Sequence, residues 1–208
     1  EEWIEELEKE IDDMRRRNNA EIARYEAGRT AKNSKRTDRK IKKAEARNAR
    51  LDQVTKEIAA LRDSDQLYGI TISNGNDGNG AFVYNEEAGT MDVLIPADSP
   101  LGLFAHELKH AYQFEKGELG ANPLGKGSNF LYDLTDEETA YERGEMFGHY
   151  VSDWKGRDSY KGLPSQSITV YSANGFTPFS NEYTYQSAAD KHYIAFRINN
   201  KTCLPKKK

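Results

Sequence analysis

Two kinds of periodicity divide the chain near residue 65. In "EEWIEELEKEIDDMRRRNNAEIARYEA" the apolar positions Trp3, Leu7, Ile11, Met14, Ile22 and Tyr25 recur at helical spacing, with a polar gap at Asn18. Acidic residues crowd its start, where a helix dipole favours them. "GRTAKNSKRT" loses the pattern and offers Gly28 and Asn33 as turn residues. A second amphipathic run, "DRKIKKAEARNARLDQVTKEIAALRD", sets Ile41, Ala44, Leu51, Val54, Ile58 and Leu61 along a short coiled-coil-like seam. Residues 1–65 therefore predict an antiparallel helical hairpin, with one long bent helix as the rival.

From Leu67 the period changes from helical to alternating. "LYGITIS" has the β-branched and aromatic content of a strand, and "AFVYNEEAGTMDVLIPAD" predicts strands 81–85 and 90–96 around Ala88-Gly89. Between them "NGNDGNG" is a loop, because Gly and Asn tolerate positive φ. It faintly resembles a calcium loop but lacks the downstream carboxylate such a loop needs. Asp98 or Ser99 can cap the next helix, with Pro100 in its first turn. Another helix is expected from about Asp136 to about Trp154, capped by Thr135 or Asp136. "SITVYS" and "KHYIAFRINN" read as strands around a polar, aromatic-rich loop, and the "PKKK" tail as disordered. The whole reads as an α+β chain: a helical arm, 1–65, and a mixed domain, 66–208.

Composition narrows the function classes. Charged residues make up 31% and hydrophobic ones 37% of the 208 residues, so part of the chain is solvated rather than packed. A net charge of −4 does not suggest a nucleic-acid binder. The basic run over residues 29–50 carries ten Lys/Arg against two acidic residues; it reads as a patch for an anionic surface or as a solvated helix face, and the lack of interleaved aromatics favours the solvated face. The single cysteine, Cys203, forms no internal disulfide, so the fold is expected to hold in a reducing compartment. No apolar run is long enough for a membrane span, and no signal peptide opens the chain. Its start at Glu1, without a methionine, suggests a fragment of a longer protein.

The chemistry concentrates in "SPLGLFAHELKHAYQF". Histidines four apart on a helix share one face, about 5–6 Å between Cβ atoms, so His106 and His110 can reach one tetrahedral zinc ion. Glu107, next to the first ligand, is placed to take a proton from a water at that metal. The flanking Leu103, Phe104, Leu108 and Ala111 predict a buried helix with only its histidine face open. A catalytic zinc needs a third protein ligand and an open fourth position. The alternative for the two histidines is hydrogen bonding within a packed helix.

Together with the downstream "DLTDEETAYERGEMFGHY", this stretch resembles the gluzincin group of zincin metallopeptidases. The resemblance implies a zincin-like core in which a glutamate of a second helix completes the zinc site: Glu137 within "EETA", with Glu138 in reserve. It also implies a Tyr or His that stabilises the oxyanion; Tyr141, one turn after Glu137, is the candidate, against a simple packing role. The metzincin pattern of a nearby third histidine is absent. Counting helix rise puts His149 roughly 18 Å from Glu137, hence in a structural role. His192 falls in a C-terminal strand with no required link to the site.

"LFAHELKHAYQFEKGEL…LTDEETAYERGEMFG" is further similar to the zincin domains of bacterial polymorphic toxins, including those of Rhs-type proteins, over about residues 67–154. That resemblance implies an endopeptidase toxin or effector: a protein or peptide substrate, a cognate immunity protein, and action in a target-cell cytoplasm after secretion or injection. The second function class is a binding or assembly module in which the hairpin acts and any metal is structural. Structural zinc prefers four ligands rich in Cys, and this chain has one cysteine.

Overall fold

A computed structural model describes residues 1–73, 79–123, 133–161, 163 and 182–206. The chain forms two compact units, Glu1–Ala60 and Leu61–Lys208. Residues 74–78 of the "NGNDGNG" loop, the strand in "SITVYS" and most of the polar, aromatic-rich loop lie outside the described residues.

The first unit is an antiparallel helical hairpin of α1 (Glu2–Ala27) and most of α2 (Ser34–Arg62). Leu7 and Ile11 of α1, and Ala44, Leu51, Val54 and Ile58 of α2, are buried; each large aliphatic contributes about 2 kcal/mol by leaving water. The gap at Asn18 is a polar link across the hairpin. Asn18 Nδ2 donates to Asn48 Oδ1 at 2.9 Å, and Arg47 Nε donates back to Asn18 Oδ1 at 2.9 Å. One long bent helix is excluded by the turn at 28–33, where the Asn33 side chain donates to the Gly28 carbonyl and its Oδ1 accepts from Thr30 N.

The second unit is α+β. Strands β1 (Tyr68–Ser73), β2 (Ala81–Asn85) and β3 (Thr90–Pro96) form a sheet of order β1-β3-β2. β3 runs parallel to β1, with Ile70 opposite Val93, and antiparallel to β2, with Phe82 opposite Val93. The sheet packs against α3 (Leu101–Glu115). Tyr84, Met91 and Phe114 share one core with Leu119, Ala121 and Ala195, and the Phe114 ring meets those of Phe82 and Tyr68 at 5.6 and 6.5 Å. Then come α4 (Leu134–Met146), α5 (Glu182–His192) and a hairpin of β4 (Phe196–Ile198) and β5 (Lys201–Cys203). Cys203 is buried there with Tyr185, Ala189, Ile194 and Phe196.

Boundaries depart from the pattern-based expectations for local reasons. Pro100 itself stands at the N-cap of α3, in extended backbone, and neither Asp98 nor Ser99 caps it through a side chain. α4 is capped one turn early by Asp133: its carboxylate accepts from Thr135 N and Asp136 N, while Asp136 reaches back to Asp133 N, a capping box. α4 also stops at Met146 rather than near Trp154. Gly148, at φ +88°, turns the chain, and His149 N–H closes on the Gly144 carbonyl at 2.9 Å. "KHYIAFRINN" is not one strand. It begins in α5, and its three-residue β4 turns through Asn199 and Asn200, both at positive φ, a conformation Asn tolerates. In the tail, Lys206 N and Nζ engage Asp190, so that residue is held rather than disordered.

Candidate metal centre

α3 buries His106 and His110 on the face it turns toward α4. Their Nε2 atoms stand 3.2 Å apart, with the rings nearly perpendicular at 82°. Two nitrogens held roughly 2.0–2.1 Å from one tetrahedral ion stand about 3.3 Å apart, so this pair is already at ligand spacing.

The tautomer of His110 follows from its neighbours. Gln113, one turn further along α3 and fully buried, donates from Nε2 to the Asp136 carbonyl at 2.9 Å and to Thr139 Oγ1 at 2.9 Å. A carbonyl can only accept, so the Gln113 amide nitrogen must point that way and its Oε1 must face His110. His110 Nδ1 lies 2.7 Å from that oxygen and therefore carries the proton. The lone pair of His110 Nε2 is left aimed into the site, as a metal ligand requires. His106 Nδ1 closes no hydrogen bond, although the Ala140 backbone favours a proton on the ring. With that proton on Nδ1, both Nε2 lone pairs point at one place, an arrangement a cation stabilises.

α4 supplies the next group. The two helices cross at Gly102 and Gly144; a Cβ on Gly102 would stand 2.6 Å from the Gly144 carbonyl. This close approach, together with the capping box that fixes the first turn of α4, brings Glu137 to the histidines. Its Oε2 is 3.7 Å from His106 Nε2 and its Oε1 is 3.7 Å from His110 Nε2. Tyr160 donates a hydrogen bond to the carboxylate, but Oε2 has no hydrogen-bond partner despite burial. Glu138, the reserve candidate, turns to the surface and pairs with Lys155.

Glu107 lies beside this triangle, its Oε1 4.0 Å from His106 Nε2. His106, Glu107 and His110 form a buried group that could hold a metal ion. What separates the two glutamates is that Glu137 is equidistant from both histidine nitrogens. Gly80, just before β2, presses on Glu107: a Cβ there would come within 2.7 Å of Glu107 Cγ and Oε1.

The ionisation states follow from burial. Burial first, and then the nearby Glu137 charge, push Glu107 well above the ordinary carboxyl range. Burial likewise raises Glu137, against the partial compensation of His110, Tyr160 and Arg157. Burial, with help from His110 and His149, pushes His106 down to about 2, so its ring is neutral.

These groups line a cavity of about 600 Å³. Tyr141 enters it edge-on to His106, ring centroids 4.5 Å apart, with its other face stacked on Trp154 at 4.4 Å. The Tyr141 hydroxyl lies 3.1 Å from that of Tyr160 and accepts from Arg157 Nη1 at 3.3 Å. His149 corrects the distance count: because α4 ends at Met146, the chain folds back and the His149 ring stands 6.5 Å from that of His106, on the cavity wall. His192 ends α5, and its side chain lies outside the described residues.

The structure thus brings together His106, Glu107, His110, Glu137 and Tyr141. Sequence reasoning missed Gln113, whose signal was available as a Gln one turn past the second histidine. It also missed Gly80, Arg157 and Tyr160, which reach the site through loops that no periodicity marks. The chain matches no protein-family model, no curated protein and no solved structure.

Proposed function

We propose that the chain is a zinc-dependent endopeptidase with a zincin-like core, His106, His110 and Glu137 holding the metal and Glu107 acting as general base. The observation that supports this most is the near-equilateral triangle of His106 Nε2, His110 Nε2 and the Glu137 carboxylate, at 3.2, 3.7 and 3.7 Å, with Glu107 beside it. Two imidazoles and one carboxylate are a zinc donor set that leaves a fourth position open. Zinc, when bound, lowers the pKa of a water toward about 7 and polarises the scissile carbonyl.

The chain's own residues do the rest. Gln113 keeps the His110 lone pair on the site. The Glu107 carboxylate takes a proton from the attacking water as its oxygen bonds to the scissile carbonyl carbon, then delivers that proton to the leaving amine as the C–N bond breaks. The Tyr141 hydroxyl, with the Arg157 cation behind it, is placed to donate to the developing oxyanion. The toxin or effector context, with a substrate inside a target cell and a cognate inhibitor, rests on the sequence resemblance alone.

The alternative, a binding or assembly module with a structural metal, has in its favour that the helical hairpin is a compact unit of its own. It needs a fourth protein ligand, and the one cysteine is buried in the C-terminal cluster instead. Glu107→Gln separates the readings. Zinc content is expected to stay at one ion per chain while cleavage of a denatured protein substrate falls about 10²–10⁴-fold. Retained cleavage would sink the mechanism, and absence of zinc after supplementation would sink the site.

A further inference from the structure

One cation among the described residues of the cavity touches that chemistry only through the Tyr141 hydroxyl. Arg157 follows α4 in the short helical turns around Trp154 and Tyr160 and lines the same cavity as the histidines. Among the described residues its one side-chain hydrogen bond runs from Nη1 to the Tyr141 hydroxyl at 3.3 Å, and no carboxylate pairs with it. Its charge nevertheless reaches the site: it disfavours protonation of His106 and His149 and favours the ionised form of Glu137. Both acidic groups of the cavity are committed elsewhere, Glu137 toward the two histidines and Glu107 beneath Gly80. Leu103, Leu119 and Pro123 add an apolar lining with no competing charge.

A guanidinium carries five donors in a planar fork that matches a carboxylate, and Tyr141 occupies one of them. We propose that Arg157 is a substrate-recognition residue whose remaining donors bind a carboxylate adjacent to the bond to be cut, supplied by an acidic side chain or by the substrate's own C-terminus. The placement is close to the reacting centre, since Tyr141 touches both Arg157, through its hydroxyl, and His106, through its ring. The inference rests on the peptidase reading and names the substrate class within it.

The test uses the zinc-loaded full chain, as wild type, Arg157→Gln and Arg157→Lys, on a proteome-derived peptide library prepared with free and with amidated C-termini. Wild type is expected to cut next to Asp or Glu, or near free C-termini; amidation abolishes only the second preference and so identifies the source of the carboxylate. For matched peptides differing by Glu against Gln, or by acid against amide terminus, the ratio of kcat/KM values is expected to fall about 10- to 100-fold in Arg157→Gln. Arg157→Lys, which keeps the charge and loses the fork, is expected to retain part of the ratio. Cleavage by wild type without carboxylate preference overturns this inference alone. So does equal slowing of acidic and neutral peptides by Arg157→Gln, which would mark a group acting only on the transition state. Absence of any cleavage by the zinc-loaded wild type overturns the peptidase reading and this inference with it. Zinc content of each variant separates a lost site from lost recognition.

Discussion

Each unit buries a polar centre between two helices, and the two centres are finished differently. In the hairpin, Asn18 donates to Asn48 and accepts from Arg47 of the facing helix, and these two reach back to Asn19 and Glu21. Between α3 and α4, two imidazole nitrogens face each other at 3.2 Å, Glu137 Oε2 has no partner, and three carboxyl groups have pKa values pushed upward by burial. A polar group buried without a partner costs about 1–3 kcal/mol, so folding alone does not explain the second arrangement. The first centre is complete as it stands and specifies a register. The second could hold a metal ion, and a cation would complete the groups it leaves unsatisfied.

The largest expected effect tests that incompleteness directly. Zinc at a thousand times its dissociation constant is expected to stabilise the chain by about 4 kcal/mol, because it binds the folded site and not the unfolded chain. His110→Ala is expected to abolish the shift in thermal midpoint. The pH dependence has a definite sign. Zinc needs Glu137 ionised, and burial raises its pKa above the ordinary 4.5; the stabilisation is therefore present above that raised value and is lost as pH falls through it. His106, pushed down to about 2, stays neutral throughout and contributes nothing to this loss. A zinc-induced shift that survives His110→Ala, or that grows as the medium is acidified, would break the contrast between the two centres.

A smaller effect separates Gln113 from a packing residue. Gln113→Leu keeps volume and apolar contact but removes the acceptor of His110 Nδ1–H and the donor to the Asp136 carbonyl. Zinc affinity is expected to fall about 10- to 100-fold, the usual cost of losing an outer partner of a ligating histidine. Gln113→Glu, which restores an acceptor at the same place, is expected to recover most of the affinity, although a purely structural defect would not recover. Competition against a zinc chelator reads both.

These differences also explain what the sequence let one read. The strands at 81–85 and 90–96, the hairpin seam and the His-Glu-x-x-His face were legible because each is a local period of two or of about 3.6 residues, and the pattern fixes it before any tertiary contact forms. Glu137 was reached through a family resemblance, and its carboxylate stands at the histidines because Gly102 and Gly144 let two helices touch, a long-range contact no window contains. His149 was misplaced by extending a helix past Gly148, where positive φ ends it. Asp133 was passed over as a cap because Asp136 and Thr135 were equally plausible caps by residue type; only the reciprocal bond decides. Arg157 and Tyr160 approach through short 3₁₀ turns, whose positions depend on the rings of Trp154 and Tyr141 that they pack against.

The smallest expected effect falls on the hairpin and completes the contrast. Asn18→Ala deletes the donor to Asn48 and the acceptor of Arg47 at a site that is only partly closed to water, so the two stranded groups recover some hydration. A loss of about 1–2 kcal/mol is expected in urea unfolding of the full chain. Asn48→Ala is expected to cost a similar amount, and the double variant less than the sum, because the second change removes a group the first had already left without its partner. Replacing both by Leu extends the apolar seam and is expected to raise stability while relaxing the register that the asparagine pair specifies. In all four hairpin variants zinc affinity is expected to stay at the wild-type value, since the Asn18 network and the histidines belong to different compact units. If Asn18→Ala weakens zinc binding, the two polar centres are energetically coupled, and the hairpin must then be counted as part of the site.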